Sequence, residues 1–318
     1  MKRGCRNWLV LSVMLGVGTR VYAQSLTWLG TLGGSASYAY GVSADGSVVV
    51  GRAYNTSGYE RAFRWVEGVG MQDLGTLPGG NASAAYGVSA DGSVVVGWAH
   101  NASWQFRAFR WESGVMQDLG TLPGGRESYA YGVSADGSVV VGRAYNTSRY
   151  ERAFRWVEGV GMQDLGTLDL ADESVASGVS ADGSVVVGRA YTSWLFSGAF
   201  RWTAAGRMEN LNITYASLLI GDSWLYEARA ISPDGRYIVG WGYNAATGRY
   251  EAYLLDTLCT PHNGDVDGDG CVDDADMLAV LFAFGQTGSN LGRVDVNCDG
   301  VVDDADLLQV LFNFGSGC

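Results

Sequence analysis

Apolar and polar positions along most of the chain alternate in short runs broken by glycine, and the runs return at a fixed interval. The first full unit reads YAYGVSADGSVVVGRAY, Tyr38 to Tyr54, and continues through RAFRWVEGVGMQDLGTLPGG. Its Asp-Gly turn returns at Asp45, Asp91, Asp136, Asp182 and Asp234, spaced by 46, 45, 46 and 52 residues. A period near 45 means one supersecondary unit used five times. Four strands fit each unit. YGVSA and SVVVGRAY are joined by Asp-Gly, which predicts a two-residue hairpin turn. RAFRWV follows, then MQDLGTL after a Gly-rich loop. The continuous run Val48-Val49-Val50 predicts a strand buried on both faces. Phe63/Trp65, Phe109/Trp111, Phe154/Trp156 and Phe200/Trp202 alternate with period two. They are expected to fill the gaps between neighbouring sheets, where large rings bury the most surface. Stacking on carbohydrate is the alternative use of these tryptophans.

Short strands with Gly-rich turns at this period read as four-stranded propeller blades. The segment LTWLGTL, Leu26 to Leu32, looks like a fourth strand with no blade before it, and the fifth repeat stops at Leu255 without one. The expectation is therefore an all-β, five-bladed β-propeller closed by the N-terminal strand. A solenoid would instead need capping repeats, and the sequence offers none. In four repeats the Arg of Phe-Arg-Trp precedes an acid: Arg64/Asp73, Arg110/Asp118, Arg155/Asp164 and Arg201/Glu209. Each is expected to form a cross-strand pair. In the fifth repeat the Arg position is Leu254, and a closing N-terminal strand would place Trp28 against it.

The combination RAFRW, GMQDLGTLPGG and YGVSADGSVVVG over residues 26–255 resembles the HAF family of bacterial extracellular repeats. The His-Ala-Phe of that family is Arg-Ala-Phe here. The resemblance implies an exported repeat protein and brings no assigned activity.

Charge is distributed unevenly. Of the net −12, residues 259–318 contribute −10 through eleven Asp and one Arg, whereas the first 23 residues carry +4. This balance argues against nucleic acid as a partner, because phosphate binding needs clustered Lys and Arg. The N-terminus predicts a secretory signal peptide: Lys2, Arg3 and Arg6, an apolar stretch from Trp8 to Gly18, and cleavage after Ala23. Arg20 interrupts it too early for a membrane span, which needs ~20 apolar residues. The mature chain is thus expected to be secreted, with no membrane span. Cys259, Cys271, Cys298 and Cys318 then remain, an even count that predicts two disulfides with three pairings open. Cys259–Cys318 with Cys271–Cys298 is the favoured pairing, and Cys259–Cys271 with Cys298–Cys318 the alternative.

The acidic C-terminal region holds two copies of one motif, GDVDGDGCVDDADMLAVLFAFG and VDVNCDGVVDDADLLQVLFNFG. Both have calcium-loop spacing, in which every second side chain turns toward one ion. The first offers Asp265, Asp267, Asp269, the Cys271 carbonyl, Asp273 and Asp276. The second offers Asp295, Asn297, Asp299, the Val301 carbonyl, Asp303 and Asp306. Two Ca²⁺ ions are expected. Each loop leads into a ten-residue apolar helix that ends at Gly285 or Gly315, and no entering helix precedes the first. Over residues 263–315 these loop–helix units resemble a type I dockerin. That resemblance implies binding to a cohesin-like partner through the two helices and an association with polysaccharide-degrading systems. Cellulosomal dockerins often carry Ser-Thr-type pairs at loop positions 10 and 11; here these are Asp274-Ala275 and Asp304-Ala305.

Three regions follow: a signal peptide at 1–23, a propeller at 24–258 and a dockerin-like domain at 259–318. No catalytic residues stand out, since the repeated acids are better explained as structure. The reading is a non-catalytic recognition or structural module. The alternative is a polysaccharide-active hydrolase or lyase, which would need two carboxylates converging at one mouth of the ring.

Overall fold

The computed structural model describes residues 25–192, 197–258, 262–287 and 291–318. The predicted signal peptide, 1–23, lies outside them. The described residues form five antiparallel sheets followed by two helices. The first sheet holds β1 (Gly33–Val42), β2 (Val48–Asn55), β3 (Glu60–Val66) and β4 (Gly70–Asp73). The second holds β5 (Ser83–Val88), β6 (Val94–His100), β7 (Phe106–Glu112) and β8 (Val115–Asp118). The third holds β9 (Ser128–Val133), β10 (Val139–Tyr145), β11 (Glu151–Val157) and β12 (Gly161–Asp164). The fourth holds β13 (Glu173–Val179), β14 (Val185–Tyr191), β15 (Ser197–Thr203) and β16 (Arg207–Asn210). A helical turn, α1 (Leu211–Thr214), then leads to a three-stranded fifth sheet of β17 (Trp224–Ile231), β18 (Tyr237–Asn244) and β19 (Arg249–Asp256). α2 (Asp274–Ala283) and α3 (Asp304–Phe312) follow.

The valine triplet explains how the sheets stack. Side chains alternate across a strand, so Val94 and Val96 pack toward the third sheet while Val95 packs back onto the first. All three are fully buried. Four apolar cores result, one between each pair of successive sheets. Phe109, Phe154 and Phe200 are fully buried in these cores, and Phe63, 1% exposed, is buried in the first sheet outside them. Each is worth about 2–3 kcal/mol by area removed from water.

Polar ties repeat with the same period. The Ala44 N–H donates to the Ala90 carbonyl (3.0 Å), Ala90 to Ala135 (3.0 Å), Ala135 to Ala181 (2.9 Å) and Ala181 to Pro233 (2.9 Å). Arg64, Arg110 and Arg155 donate through Nε to the carbonyls of Gly92, Gly137 and Gly183, in the Asp-Gly turn of the next sheet. Fully buried Ser83, Ser128 and Ser174 each accept the N–H of an alanine in the preceding sheet.

The expected closed five-bladed ring is not formed. Residues 26–32 do not complete the fifth sheet, which keeps three strands. Leu32 bridges instead to Asn55 in the first sheet. Trp28 and Leu254, expected to meet, are 88% and 68% exposed. Among the described residues no apolar core joins the fifth sheet to the first. The fifth sheet also lacks two devices seen in the sheets before it, the alanine N–H that the first four donate and the arginine with which the first three reach across. Pro233 stands where Ala44, Ala90, Ala135 and Ala181 donate, and proline has no N–H. Leu254 stands where Arg64, Arg110 and Arg155 reach across. The series therefore ends at the fifth sheet.

Two smaller expectations also change. The Asp-Gly connection is longer than a two-residue turn. Residues 43–47 separate β1 from β2, with Gly46 donating to the Ser43 carbonyl (3.1 Å) at φ +77°. Of the four Arg–acid pairs, only Arg201 and Glu209 are register partners in an ion pair. Elsewhere the register is one residue off: Asp73 lies opposite Phe63, and the side chain near it is Arg61 (3.7 Å). Asp164 likewise takes Arg152.

The repeated aspartate holds the turn. Asp45 Oδ1 accepts from the Ser47 N–H (3.0 Å) and from the Ser43 and Ser47 hydroxyls (2.8 Å each). These hydrogen bonds, that of the Ser47 N–H foremost, lower the Asp45 carboxyl from 3.8 to about 2. Asp91 and Asp182 are also held at about 2, chiefly by the Ser89 and Ser180 hydroxyls. Asp136 and Asp234 shift the same way through Ser134 and Ser232. A carboxyl depressed by folding contributes stability above its unfolded pKa and loses it as pH falls through the folded value. Acid titration followed by circular dichroism should thus show the sheet region holding to about pH 4 and weakening from there to about pH 2. Asp91→Asn should flatten that decline.

Candidate functional site

The innermost strands of all five sheets line one cavity of about 260 Å³. Its wall is mostly glycine and valine, including Gly41, Val88, Gly132 and Val179, and its one charged residue is Arg229. No carboxylate lines it. The non-repeated acids Glu127, Asp169, Asp172, Glu173, Asp222 and Glu227 do not converge there either. Glu227 is buried, accepts from Trp241 Nε1 (2.8 Å) and faces Arg229 (3.3 Å) and Arg189 (3.5 Å). It serves as the hub of an ion-paired network.

The C-terminal loops present different chemistry. In the first loop, carboxylate oxygens of Asp265, Asp267 and Asp269 lie within 4.8 Å of one another. Asp265 accepts the N–H groups of Gly268 (2.8 Å) and Gly270 (3.2 Å), and Asp269 accepts that of Cys271 (2.8 Å). Gly270 at φ +93° makes the sharp turn. The second loop repeats this: Asp295 accepts from Asp299 (3.1 Å) and Gly300 (3.0 Å), and Asp299 accepts from Val301 (2.9 Å). Asp295 is only 5% exposed. Burial, together with the neighbouring Asp306 and Asp299, pushes its carboxyl up. A buried acid beside two others is what a hard divalent cation stabilises, so the all-oxygen donor set fits Ca²⁺.

The last acid of each loop also organises the backbone. Asp276 is fully buried, and its oxygens accept the N–H groups of Val266 (2.6 Å), Asp267 (3.1 Å) and Asp273 (2.8 Å). Although burial opposes it, these N–H groups hold the carboxyl below its usual range. Asp306 accepts from Asn297 (3.1 Å) and Asp303 (2.9 Å). Asp273 and Asp303 cap their helices by accepting from Ala275 and Ala305 (2.8 Å each), which completes two capping boxes. Sequence spacing identified these residues as ligand candidates but gave no sign of the backbone bonds.

The two units interlock. Gly315 donates to Val272 (2.8 Å), and Gly285 donates to Val302 (2.8 Å). The core between them is Val266, Val272, Val280, Val296, Val302 and Val310. A disulfide joins Cys271 to Cys318, and Cys298 is also disulfide-bonded. Both pairings anticipated from sequence are therefore wrong: the C-terminal residue is tied to the first loop. The geometric reason is the Val272–Ser316 hydrogen bond (3.0 Å), which brings the chain end beside Cys271. On the outer surface, Phe282 and Phe312 are 85% and 83% exposed, flanked by Leu278 and Leu281 or Leu308 and Leu311.

Residues 263–311 match the dockerin type I domain. Domains of that type bind calcium and attach to cohesin partners, and proteins that carry them are typically extracellular. No curated protein matches the chain. Among solved structures, the chain is similar to TolB from Acinetobacter baumannii, with 14% identity and a TM-score of 0.47 over 70% of this chain and 52% of that one. It is also similar to a putative TolB from Agrobacterium tumefaciens, with 17% identity and a TM-score of 0.44 over 69% and 73%. AofleA from Arthrobotrys oligospora shows 11% identity and a TM-score of 0.38 over 69% and 67%. The chain thus spans about half the length of the first of these. None of the matches supports the HAF resemblance of residues 26–255. No helix among the described residues is long and apolar enough to cross a membrane.

Proposed function

We propose that this chain is an exported recognition or structural module, built from HAF-type repeats and without catalytic activity, that docks through its C-terminal domain onto a cohesin-like partner. In this reading residues 1–23 are a cleaved signal, 24–258 the repeat domain and 259–318 the dockerin. Two Ca²⁺ ions hold the dockerin. Asp265, Asp267, Asp269, Asp273 and Asp276, with the Cys271 carbonyl, supply one site. Asp295, Asn297, Asp299, Asp303 and Asp306, with the Val301 carbonyl, supply the other.

The observation that carries this reading is the duplicated apolar surface on α2 and α3. Leu278, Leu281 and Phe282 recur as Leu308, Leu311 and Phe312 with near-equal exposure. Phenylalanine exposed above 80% on both helices gains nothing from the fold, and contiguous exposed apolar surface marks an interaction site. Calcium acts upstream by fixing the loops from which both helices start. Immobilised type I cohesins should therefore capture the full-length protein with calcium present and lose it on chelation. Phe282→Ser with Phe312→Ser should weaken capture at least a hundredfold at unchanged helix content. Capture that survives both chelation and the double substitution would sink this proposal.

A further inference from the structure

The second repeat departs from its neighbours on one side of its sheet. Its loop Asn101-Ala-Ser-Trp104-Gln105 corresponds to Asn55-Thr-Ser-Gly58-Tyr59 in the first repeat and Asn146-Thr-Ser-Arg149-Tyr150 in the third. The fourth position is left-handed in all three, at φ +78°, +60° and +63°. Glycine suits that backbone, and tryptophan there is strained by roughly 1 kcal/mol or more. Trp104 is also 64% exposed, so packing does not repay the strain. Beside it the Arg52–Glu60 and Arg143–Glu151 pairs of the neighbouring repeats become Trp98 and Phe106, ring centroids 4.8 Å apart.

His100 adds a polar group to this aromatic wall. Its ring lies 6.1 Å from Trp104 and 4.6 Å from Phe106. Nδ1 sits 3.0 Å from Asn81 Oδ1, an acceptor, so Nδ1 carries the proton and Nε2 is left as an acceptor. Nε2 is buried and makes no hydrogen bond. Burial also lowers the His100 pKa, which keeps the ring neutral. A buried polar atom without a partner costs about 1–3 kcal/mol. Strain, exposure and an unused acceptor thus meet at one place that the first and third repeats build differently.

We propose that Trp104, Trp98, Phe106 and His100 form a saccharide-binding site on the second sheet. Pyranose rings offer an apolar face of C–H groups that stacks on indole, and an edge of hydroxyls that donate. Trp104 supplies the exposed face, His100 Nε2 accepts a hydroxyl, and Asn101 and Gln105, whose Oε1 accepts from Arg107 (3.1 Å), extend the polar rim. An anionic or cationic ligand would favour the ion-paired surfaces of the first and third repeats instead. The proposal rests on the recognition reading above and assigns it a ligand class.

Full-length protein should be retarded in native gels carrying xylan, hydroxyethylcellulose, galactomannan or starch, by at least one of the four. Trp104→Gly should weaken that retardation at least tenfold while leaving Tm unchanged or raised, because glycine relaxes the backbone. His100→Tyr, the residue of the first and third repeats, should weaken binding to the same polysaccharide. Retardation by none of the four overturns the site, as does retardation that survives Trp104→Gly. Calcium-dependent cohesin capture is independent of both variants, so a failure here leaves the docking reading standing.

Discussion

Gly142→Ala is expected to destabilise the sheet region by on the order of 4 kcal/mol, at the severe end for one substitution. At about 2–4 °C per kcal/mol for a domain of this size, Tm should fall by roughly 8–16 °C. The cause lies in the neighbouring strand. β9 carries a bulge where its pairing with β10 shifts between Val141 and Gly142. The bulge aims the Tyr129 carbonyl at Gly142, so an added Cβ would fall inside the contact radius of that oxygen. Gly51, Gly97 and Gly188 are in the same situation opposite Tyr38, Ala84 and Val175. This is why each Val-Val-Val run ends in glycine. Gly159→Ala is the control: its Cβ would meet nothing within 4 Å, and only its φ of +76° is strained. Calorimetry should show a loss of about 1 kcal/mol there. Comparable losses at both positions would refute the steric account.

Asp276→Ala is expected to abolish folding of the C-terminal loop–helix pair, with or without calcium. It removes three acceptor contacts, one from the buried Val266 N–H and two from the part-buried N–H groups of Asp267 and Asp273, and hydrogen bonds to a charged group are worth about 1.5–3 kcal/mol each. Taken at the low end of that range because two of the bonds are part-buried, the loss of about 5 kcal/mol matches or exceeds the stability of a core this small. Asp276→Asn keeps one acceptor oxygen and should retain part of the fold at saturating calcium. Helix content and the calcium-dependent part of the thermal transition separate these outcomes. An alanine variant that still melts cooperatively would show that the Asp276 bonds are dispensable.

Much of the fold was legible because the repeat announces itself. Four strands per unit follow from the alternation around Val48-Val49-Val50 and Phe63/Trp65, and each unit is a four-stranded meander up to the fifth. Leu254, set against Trp28 from the sequence, instead marks the end of the series together with Pro233. Both departures matter only once Ala44 and Arg64 are known to reach the next sheet, and that contact is between repeats rather than within one. The Arg–acid register slipped by one residue for a related reason. Spacing locates a hairpin, but the loop Glu67–Val69 decides which residues face each other. In the C-terminal region the ligand alternation was plain, whereas the disulfide was not. Cys271 reaches Cys318 because Val272 pairs with Ser316, a contact between units thirty residues apart that leaves no local trace.

The ties between sheets run in one direction along the chain, and the four apolar cores lie between successive sheets. Such an assembly opens locally before it unfolds as a whole. Its cooperativity comes from shared faces, so the inner sheets, held on both sides, should open least often. The first and fifth sheets are each held on one side only, and the fifth also lacks the N–H and the arginine that would hold a successor. Local opening should therefore begin at the two end sheets, the last of which lies next to the segment that carries the dockerin. Tension applied through a docked partner would enter the molecule at one of these two least protected sheets.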